Sequence, residues 1–119
     1  MLCKVTHGTL FPREDGKIID EHFGVLNTKS DAFSLAHMTA PPAWREPAQI
    51  ATFDEVVIVV QGVLAVEADG EQFAIEAGET CLIGKDTRVV YSNASLEHIC
   101  EYWSLCLPAF RPERTNMNV

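Results

Sequence analysis

One acidic residue stands at the start of the most apolar stretch of the chain. Glu55 precedes a run of β-branched residues, Val56 to Val60, that contains no polar side chain and is expected to be buried on both faces. An acid that faces a dry interior needs a partner or a chemical role, because an unpaired buried charge is costly. We interpret Glu55 as a candidate ligand-binding or catalytic group. The alternative is a carboxylate in solvent or paired with Arg88.

His37 is the only one of the four histidines in a clear strand pattern. The segment Phe33 to Thr39 alternates, and it places His37 on the same face as Leu35. Because an imidazole titrates near neutral pH, His37 is a candidate general base. The alternative is a histidine at the edge of the core that is hydrogen-bonded to the backbone.

The cysteines do not suggest a catalytic thiol. Cys3, Cys81, Cys100 and Cys106 form no CxxC pair, and three of them lie in apolar, strand-like runs. Cys100 and Cys106 would be roughly 20 Å apart on one extended strand, too far for a disulfide. The pattern indicates free thiols in a reducing cytoplasm.

Composition limits the function classes. The 119 residues suffice for one domain, residues 1–119, with an independent core. A net charge of −8 disfavours binding to nucleic acid or to an anionic membrane. No apolar run approaches the roughly 20 residues of a membrane span, and the N-terminus does not read as a signal peptide. We therefore expect a cytoplasmic protein.

Short strands separated by turn signals dominate the chain after residue 50. Asp69-Gly70 is a strong hairpin signal, and Gly62 marks a bend where a side chain would be in the way. This spacing predicts an all-β sandwich or barrel. We place its core at about 33–108, with N-terminal strands and the C-terminal tail packing outside. The expected strands are 2–5, 33–39, 56–60, 63–68, 72–75, 80–83, 88–93 and 98–107, with 17–25 either a strand or one helical turn.

Two glycine-containing patterns have the spacing of the two cupin motifs. Glu55 and Gly62 are separated by six residues, as at the end of the first motif, and the stretch from Gly78 to Asn93 has the spacing of the second. The runs FDEVVIVVQGVLAV and EYWSLCLPAF resemble the ethanolamine-utilisation cupins. The resemblance covers roughly Thr39 to Pro108. It implies a single-domain jelly-roll β-barrel, often a homodimer, with a pocket inside.

The metal ligands of the family are largely absent. Most cupins of this kind use three histidines and a glutamate, and the resemblance puts Gln49, Ala51 and Val89 where the histidines would stand. Only Glu55 is retained. Because a transition-metal site needs several imidazole, thiolate or carboxylate ligands, we predict no tightly bound metal and no cofactor.

The same resemblance turns one face of two strands inward. It would bring Gln49, Glu55, Tyr91 and Asn93 into one pocket. Tyr91 is alternatively a core residue with a satisfied hydroxyl, and Asn93 alternatively closes a turn.

Three further residues are candidates for the pocket. Trp44 forms either a lip over the pocket or a plug at the barrel end. Glu101 and Tyr102 are alternatives, because they lie on opposite faces of one strand.

Two function classes remain open. The first is a binder of a small polar metabolite without a tightly bound metal. Its pocket is lined by Trp44, Gln49, Glu55 and Tyr91, with Asn93 and either Glu101 or Tyr102 as further candidates. The second is a metal-independent lyase, dehydratase or isomerase, with His37 or Glu55 as base and Tyr91 as acid. We expect a homodimer in both cases.

Overall fold

The computed structural model describes residues 1–119 as two antiparallel β-sheets packed face to face. The larger sheet has the order β1-β2-β3-β10-β5-β8, and the smaller has the order β11-β4-β9-β6-β7. The strands are β1 Thr9–Phe11, β2 Ile18–Phe23, β3 Ser34–Ala40, β4 Gln49–Ala51, β5 Asp54–Gln61, β6 Val63–Ala68, β7 Glu71–Glu76, β8 Thr80–Ile83, β9 Arg88–Asn93, β10 Cys100–Leu107 and β11 Thr115–Met117. A 3₁₀ turn, Pro112–Arg114, is the only helical element.

This architecture confirms the predicted jelly roll, although no continuous hydrogen-bond ladder joins the two sheets into a closed barrel. The Asp69-Gly70 hairpin is present: both residues have positive φ, 48° and 87°, as a two-residue turn between twisted strands requires. Gly62 lies at the bend between β5 and β6, where a Cβ would come within 2.6 Å of the Ile99 carbonyl oxygen.

The core fills one end of the space between the sheets. Its apolar side chains come mainly from strands β5, β6, β9 and β10, and the largest fully buried ones include Tyr102, Leu64, Val57 and Val59. No helix in the structure has the length and hydropathy needed to cross a bilayer. The remaining space between the sheets, which several charged side chains border, is the candidate site.

The central strand is buried on one face only, contrary to the prediction. Val57 and Val59 are 0% and 1% exposed, whereas Ile58 and Val60 are 36% and 49% exposed. The reason is that β5 lies in a two-layer sandwich, so every second side chain points away from the other sheet.

Both ends of the chain also differ from the prediction. Residues 2–5 form no strand, and the first strand is Thr9–Phe11. Ile18–Phe23 is a strand in the larger sheet, where it pairs with Ser34–Ala40. The C-terminal strand Thr115–Met117 pairs with Gln49–Ala51. Terminal strands therefore extend both sheets next to the site.

Candidate functional site

A cavity of about 100 Å³ lies between the two sheets. Inner side chains of β2, β3, β5 and β10 form one wall, and β4, β9 and β11 contribute to the other. Loops before β2 and β4 add charged side chains. The polar residues that matter most for chemistry are Arg13, Lys17, Glu46, Glu55, Tyr91 and Tyr102.

The Glu55 carboxyl group accepts hydrogen bonds from side chains of both sheets. The Tyr91 hydroxyl on β9 donates a hydrogen bond of 2.6 Å to Glu55 Oε1. The Ser104 hydroxyl on β10 donates to Oε2. Both oxygens of the carboxyl group therefore have a partner, and Tyr91 is the contact expected from the sequence. Arg88 does not take part, because its guanidinium lies near Glu67 and the Val119 carbonyl.

The surroundings of Glu55 raise the pKa of its carboxyl group above the ordinary value. Burial raises the pKa of its carboxyl group, while hydrogen bonds from Ser104 and Tyr91 and the charge of Lys17 oppose that rise. The side chain keeps some accessible surface because it borders the cavity. Burial, followed by the Glu55 charge, raises the pKa of the Tyr91 hydroxyl well above its ordinary value. Glu55 is thus the more acidic partner of the pair.

Lys17 is the most unusual charged residue of the cavity. It is 6% exposed, and its Nζ donates a hydrogen bond of 2.5 Å to the Tyr102 hydroxyl. The same nitrogen lies 4.2 Å from the centroid of the Trp44 ring and 5.0 Å from that of Tyr102. Burial lowers the pKa of the Lys17 amine, against the charges of Glu46 and Glu55.

A second acidic residue, Glu46, is also bound within the cavity wall. Arg13 Nη2 lies 3.2 Å from Glu46 Oε2, and Gln49 Nε2 donates to Glu46 Oε1 at 3.0 Å. Arg13 also pairs with Asp15, whose Oδ2 accepts a hydrogen bond of 2.8 Å from Trp44 Nε1. Gln49 therefore reaches the cavity, as predicted, but its amide orients Glu46 rather than Glu55.

The structure separates His37 and Glu101 from the cavity. His37 Nε2 lies 3.4 Å from Glu101 Oε2 on the outer face of the larger sheet. On the same outer face, the Trp103 ring packs edge-on against the rings of His37 and His22, at centroid distances of 4.9 and 5.1 Å. The parity of β3 and β10 explains this placement, since Tyr102 points inward and its neighbours outward. His37 is therefore not positioned as a base for a ligand in this cavity.

Asn93 and Trp44 have structural roles in place of the predicted contact with a ligand. Asn93 Nδ2 donates to the carbonyl oxygens of Pro41 and His98 at 3.0 and 2.8 Å, and its Oδ1 accepts from the Ser95 amide. Trp44 is 4% exposed and packs in the core. Of the two alternatives stated for each residue, the structure thus favours a turn residue for Asn93 and a plug for Trp44.

Sequence reasoning missed Lys17, Arg13 and Glu46. Lys17 lies just before β2, where Ile18, Asp20 and His22 alternate with Ile19 and Glu21. Each face of that segment carries both apolar and charged residues, so alternation did not identify an inner face. Arg13 and Glu46 lie in loops, whose geometry depends on tertiary contacts.

The cavity does not fit the metal site that the fold family implies. Glu55 already accepts two hydroxyl hydrogen bonds, and Gln49 supplies only an amide. Ala51 and Val89 carry no donor atom, and Val89 is packed in the core. No three His, Cys, Asp or Glu side chains gather in an arrangement that suits a metal ion.

Comparisons with known proteins connect this geometry to one family. The family described as ethanolamine utilisation protein EutQ matches residues 30–104, more than half of the chain. A protein of Myxococcus xanthus named endoribonuclease YbeY is 48% identical over 114 residues. That match covers 96% of this chain and 38% of the relative, so the chain spans well under half of that protein.

Solved structures share the fold at low sequence identity. Streptomyces PAC13 with uridine superposes with a TM-score of 0.78 at 14% identity, over 98% of this chain and 90% of that one. KdgF from a Halomonas species gives a TM-score of 0.71 at 18% identity, over 88% and 89% of the two chains.

The ethanolamine utilization protein Q of Salmonella typhimurium gives a TM-score of 0.69 at 19% identity, over 84% of this chain and 80% of that one. Family match, sheet order and superpositions lead to one conclusion: the chain has the cupin fold and belongs to the family of ethanolamine utilisation protein EutQ.

Proposed function

We propose that the chain binds one small polar metabolite in the cavity between its two sheets. The observation that carries this proposal is the convergence of charged side chains, among them Lys17, Glu46 and Glu55, on an otherwise largely apolar cavity. Placing charged groups in a protein interior is costly, and such groups are found mainly where a function needs them. A volume of about 100 Å³ is several times that needed for one water molecule.

The available donors and acceptors define the chemistry of the ligand. The Glu55 carboxyl and the hydroxyls of Tyr91 and Ser104 can bind the hydroxyl groups of a sugar or polyol. The Lys17 amine can donate to a carbonyl or carboxylate oxygen. A small sugar or a carboxylated compound with at least one hydroxyl group matches both sets.

A binding panel tests this proposal. Wild-type protein and Glu55→Gln are titrated with small sugars, polyols and hydroxy acids, using calorimetry. The exposed Glu71→Gln is the matched control. We expect a ligand whose affinity falls at least about tenfold, or 1.4 kcal/mol, in Glu55→Gln and is unchanged in the control. A compound that binds all three proteins equally makes no use of Glu55 and contradicts the proposal.

A second candidate function is a metal-independent lyase, dehydratase or isomerase. It is favoured by the 2.6 Å contact between Glu55 and Tyr91 and by the raised pKa of the Glu55 carboxyl. A general base works best when its pKa lies near the working pH, so Glu55 is suited to remove a proton and Tyr91 to return one. Pac13, a nucleoside dehydratase, shares the fold at 15% identity. That likeness concerns the fold alone.

Turnover separates the two candidates. Ligands found in the panel are incubated with wild type and with Glu55→Gln, and products are followed by NMR. Turnover by wild type that disappears in Glu55→Gln while binding persists supports the enzyme. Binding without turnover in either protein supports the binder.

The charge of this chain disfavours the endoribonuclease activity that the name of the Myxococcus relative states. That protein is more than twice as long as the matched region. The chain carries a net charge of −8, and carboxylates line its cavity, so a polyanionic RNA would be repelled.

A further inference from the structure

Three features distinguish Lys17 from the other charged residues of the cavity. Its amine lies inside the protein and borders the cavity. Its one hydrogen-bond partner is a hydroxyl group, that of Tyr102, and it forms no ion pair. Two aromatic faces, Trp44 and Tyr102, cover it. A lysine that serves only to hold the fold together is normally exposed or paired with a carboxylate.

The charges around Lys17 act in both directions. Burial is the largest influence and lowers the pKa of its amine, and the neighbouring Arg13 lowers it further. The carboxylates of Glu46, Glu55 and Asp15 oppose that change. Burial raises the pKa of the Tyr102 hydroxyl well above the ordinary value. Tyr102 therefore stays neutral beside the amine and forms no lasting ion pair with it. The net effect of burial is a lowered pKa, which increases the share of Lys17 present as the neutral, nucleophilic amine.

We propose that Lys17 forms a Schiff base with a small aldehyde or ketone bound in the cavity. This inference deepens the proposed function, on which it rests, and names the reactive group of the ligand. The Lys17 Nζ lone pair attacks the carbonyl carbon, and the C=O bonding pair moves to oxygen. One amine proton moves to that oxygen and gives a carbinolamine. The nitrogen lone pair then forms the C=N bond as the C–O bond breaks, and the hydroxyl leaves with the second amine proton as water.

The residues around Lys17 suit each part of that step. The Tyr102 hydroxyl contacts the amine at 2.5 Å and can relay a proton by accepting one and donating another. The Trp44 ring, whose centroid lies 4.2 Å from Nζ, stabilises the positive charge that develops on nitrogen as the C–O bond breaks and before the second proton leaves. No oxidant or reductant is needed, because the step exchanges a C=O bond for a C=N bond and releases water.

Reductive trapping tests the proposal on the full chain. The protein is incubated near neutral pH with glycolaldehyde, a probe small enough for the cavity, and sodium borohydride is added. Intact-mass measurement counts the adducts, and peptide mapping locates them. The exposed residues Lys4, Lys29 and Lys85 are internal controls in the same sample. We expect Lys17 to be modified at least about tenfold faster than any of them, a difference of about 1.4 kcal/mol in the barrier.

Variants at the same position complete the test. Lys17→Arg keeps the cation and removes the nucleophilic amine, and Lys17→Met keeps the length of the side chain; both should lose the fast adduct. Modification of Lys17 that is no faster than that of the exposed lysines would overturn the proposal, and this result does not depend on whether a variant folds. A panel ligand that binds wild type without any trapped adduct leaves the proposed binding function intact and removes only the Schiff base.

Discussion

Glu55 and Tyr91 belong to different sheets, and the 2.6 Å hydrogen bond between them crosses the cavity. Ser104 completes the contact from the larger sheet by donating to the second oxygen of Glu55. The hydrogen bond from Tyr91 thus holds the candidate binding carboxyl of Glu55 in place, and it also joins the two sheets of the jelly roll. Substitutions at these positions are expected to change stability and binding together.

The first prediction is a pH-dependent stability that originates at Glu55. Because burial raises the folded-state pKa of this carboxyl, its stabilising contribution is complete below the ordinary value of 4.5 and is lost as the pH rises through the folded-state value. Glu55→Gln removes that loss. We expect the stability of the variant relative to wild type to increase from about pH 4 to about pH 8 in urea unfolding.

Matched variants identify the source of that pH dependence. Glu71→Gln, on the exposed face of β7, should leave the wild-type profile unchanged. Tyr91→Phe removes one hydrogen bond to Glu55 and is expected to cost about 1–3 kcal/mol at neutral pH. Parallel profiles for wild type and Glu55→Gln would contradict the prediction.

A second prediction concerns metal content. Elemental analysis of the purified protein should find no stoichiometric transition metal, because Glu55 alone of the four family positions carries an ionisable donor. Addition of zinc or nickel should not raise the melting temperature. About one metal ion per chain, lost in Glu55→Ala, would show the prediction to be wrong.

The third prediction is a homodimer formed through the outer face of the larger sheet. Side chains of β5, β8 and β10 make this face apolar, and Ile58 and Leu82 on it are 36% and 68% exposed. Contiguous apolar surface of this kind favours association. The family resemblance also implies pairing through a sheet face.

Light scattering measures the prediction directly. Wild type should have the mass of two chains at micromolar concentration, and the double variant Ile58→Asp, Leu82→Asp should have the mass of one. Phe73→Asp, at a position on the smaller sheet whose 48% exposure lies between those of Ile58 and Leu82, is the control and should remain dimeric. A monomeric wild type would count against the dimer.

A fourth prediction compares the stability cost of alanine at three glycines, which differ in backbone strain and in steric crowding. Gly62→Ala combines a φ of +81° with a Cβ 2.6 Å from the Ile99 oxygen, so it should destabilise the protein by more than about 3 kcal/mol. Gly70→Ala has a similar φ in open space and should cost about 1 kcal/mol. Gly84→Ala has neither feature and should change stability by less than about 0.5 kcal/mol. Equal losses at all three positions in urea unfolding would disprove the assignment.

The fifth prediction is graded reactivity of the four free thiols. Cys3 is exposed and should react rapidly with a disulfide reagent. Burial raises the pKa of Cys100 to about 11 and also raises that of Cys106, so both should react only as the protein unfolds. The half-buried Cys81 should react at an intermediate rate. Rapid labelling of Cys106 in the folded protein would refute this order.

Local sequence patterns predicted the fold because they depend on neighbouring residues. The Asp69-Gly70 turn and the strand Val63–Ala68 follow from backbone preferences and from alternation, and both were correct. The inward position of Glu55 followed from the spacing of the cupin motif. Its contact with Tyr91 followed from the same mapping.

The sequence did not identify the charged residues Lys17, Arg13 and Glu46 of the cavity, because their positions depend on contacts between segments that are distant in sequence. Lys17 meets Tyr102 across 85 positions of sequence, and Arg13 meets Glu46 across 33. His37 was misplaced for another reason: alternation tells which residues share a face but not which face is inside. In the structure, the smaller sheet covers the other face of this strand, so His37 lies on the outer face.

The two tryptophans give the molecule two separate optical reporters. Trp44 lies beneath the Lys17 amine and beside the cavity, whereas Trp103 lies on the outer face between the rings of His22 and His37. Indole emission responds to nearby charge and polarity. In Trp103→Phe, the remaining fluorescence should therefore change when a carbonyl compound reaches Lys17. In Trp44→Phe, it should change when the outer face of the sheet is covered, so that ligand binding and self-association can be followed independently without an added dye.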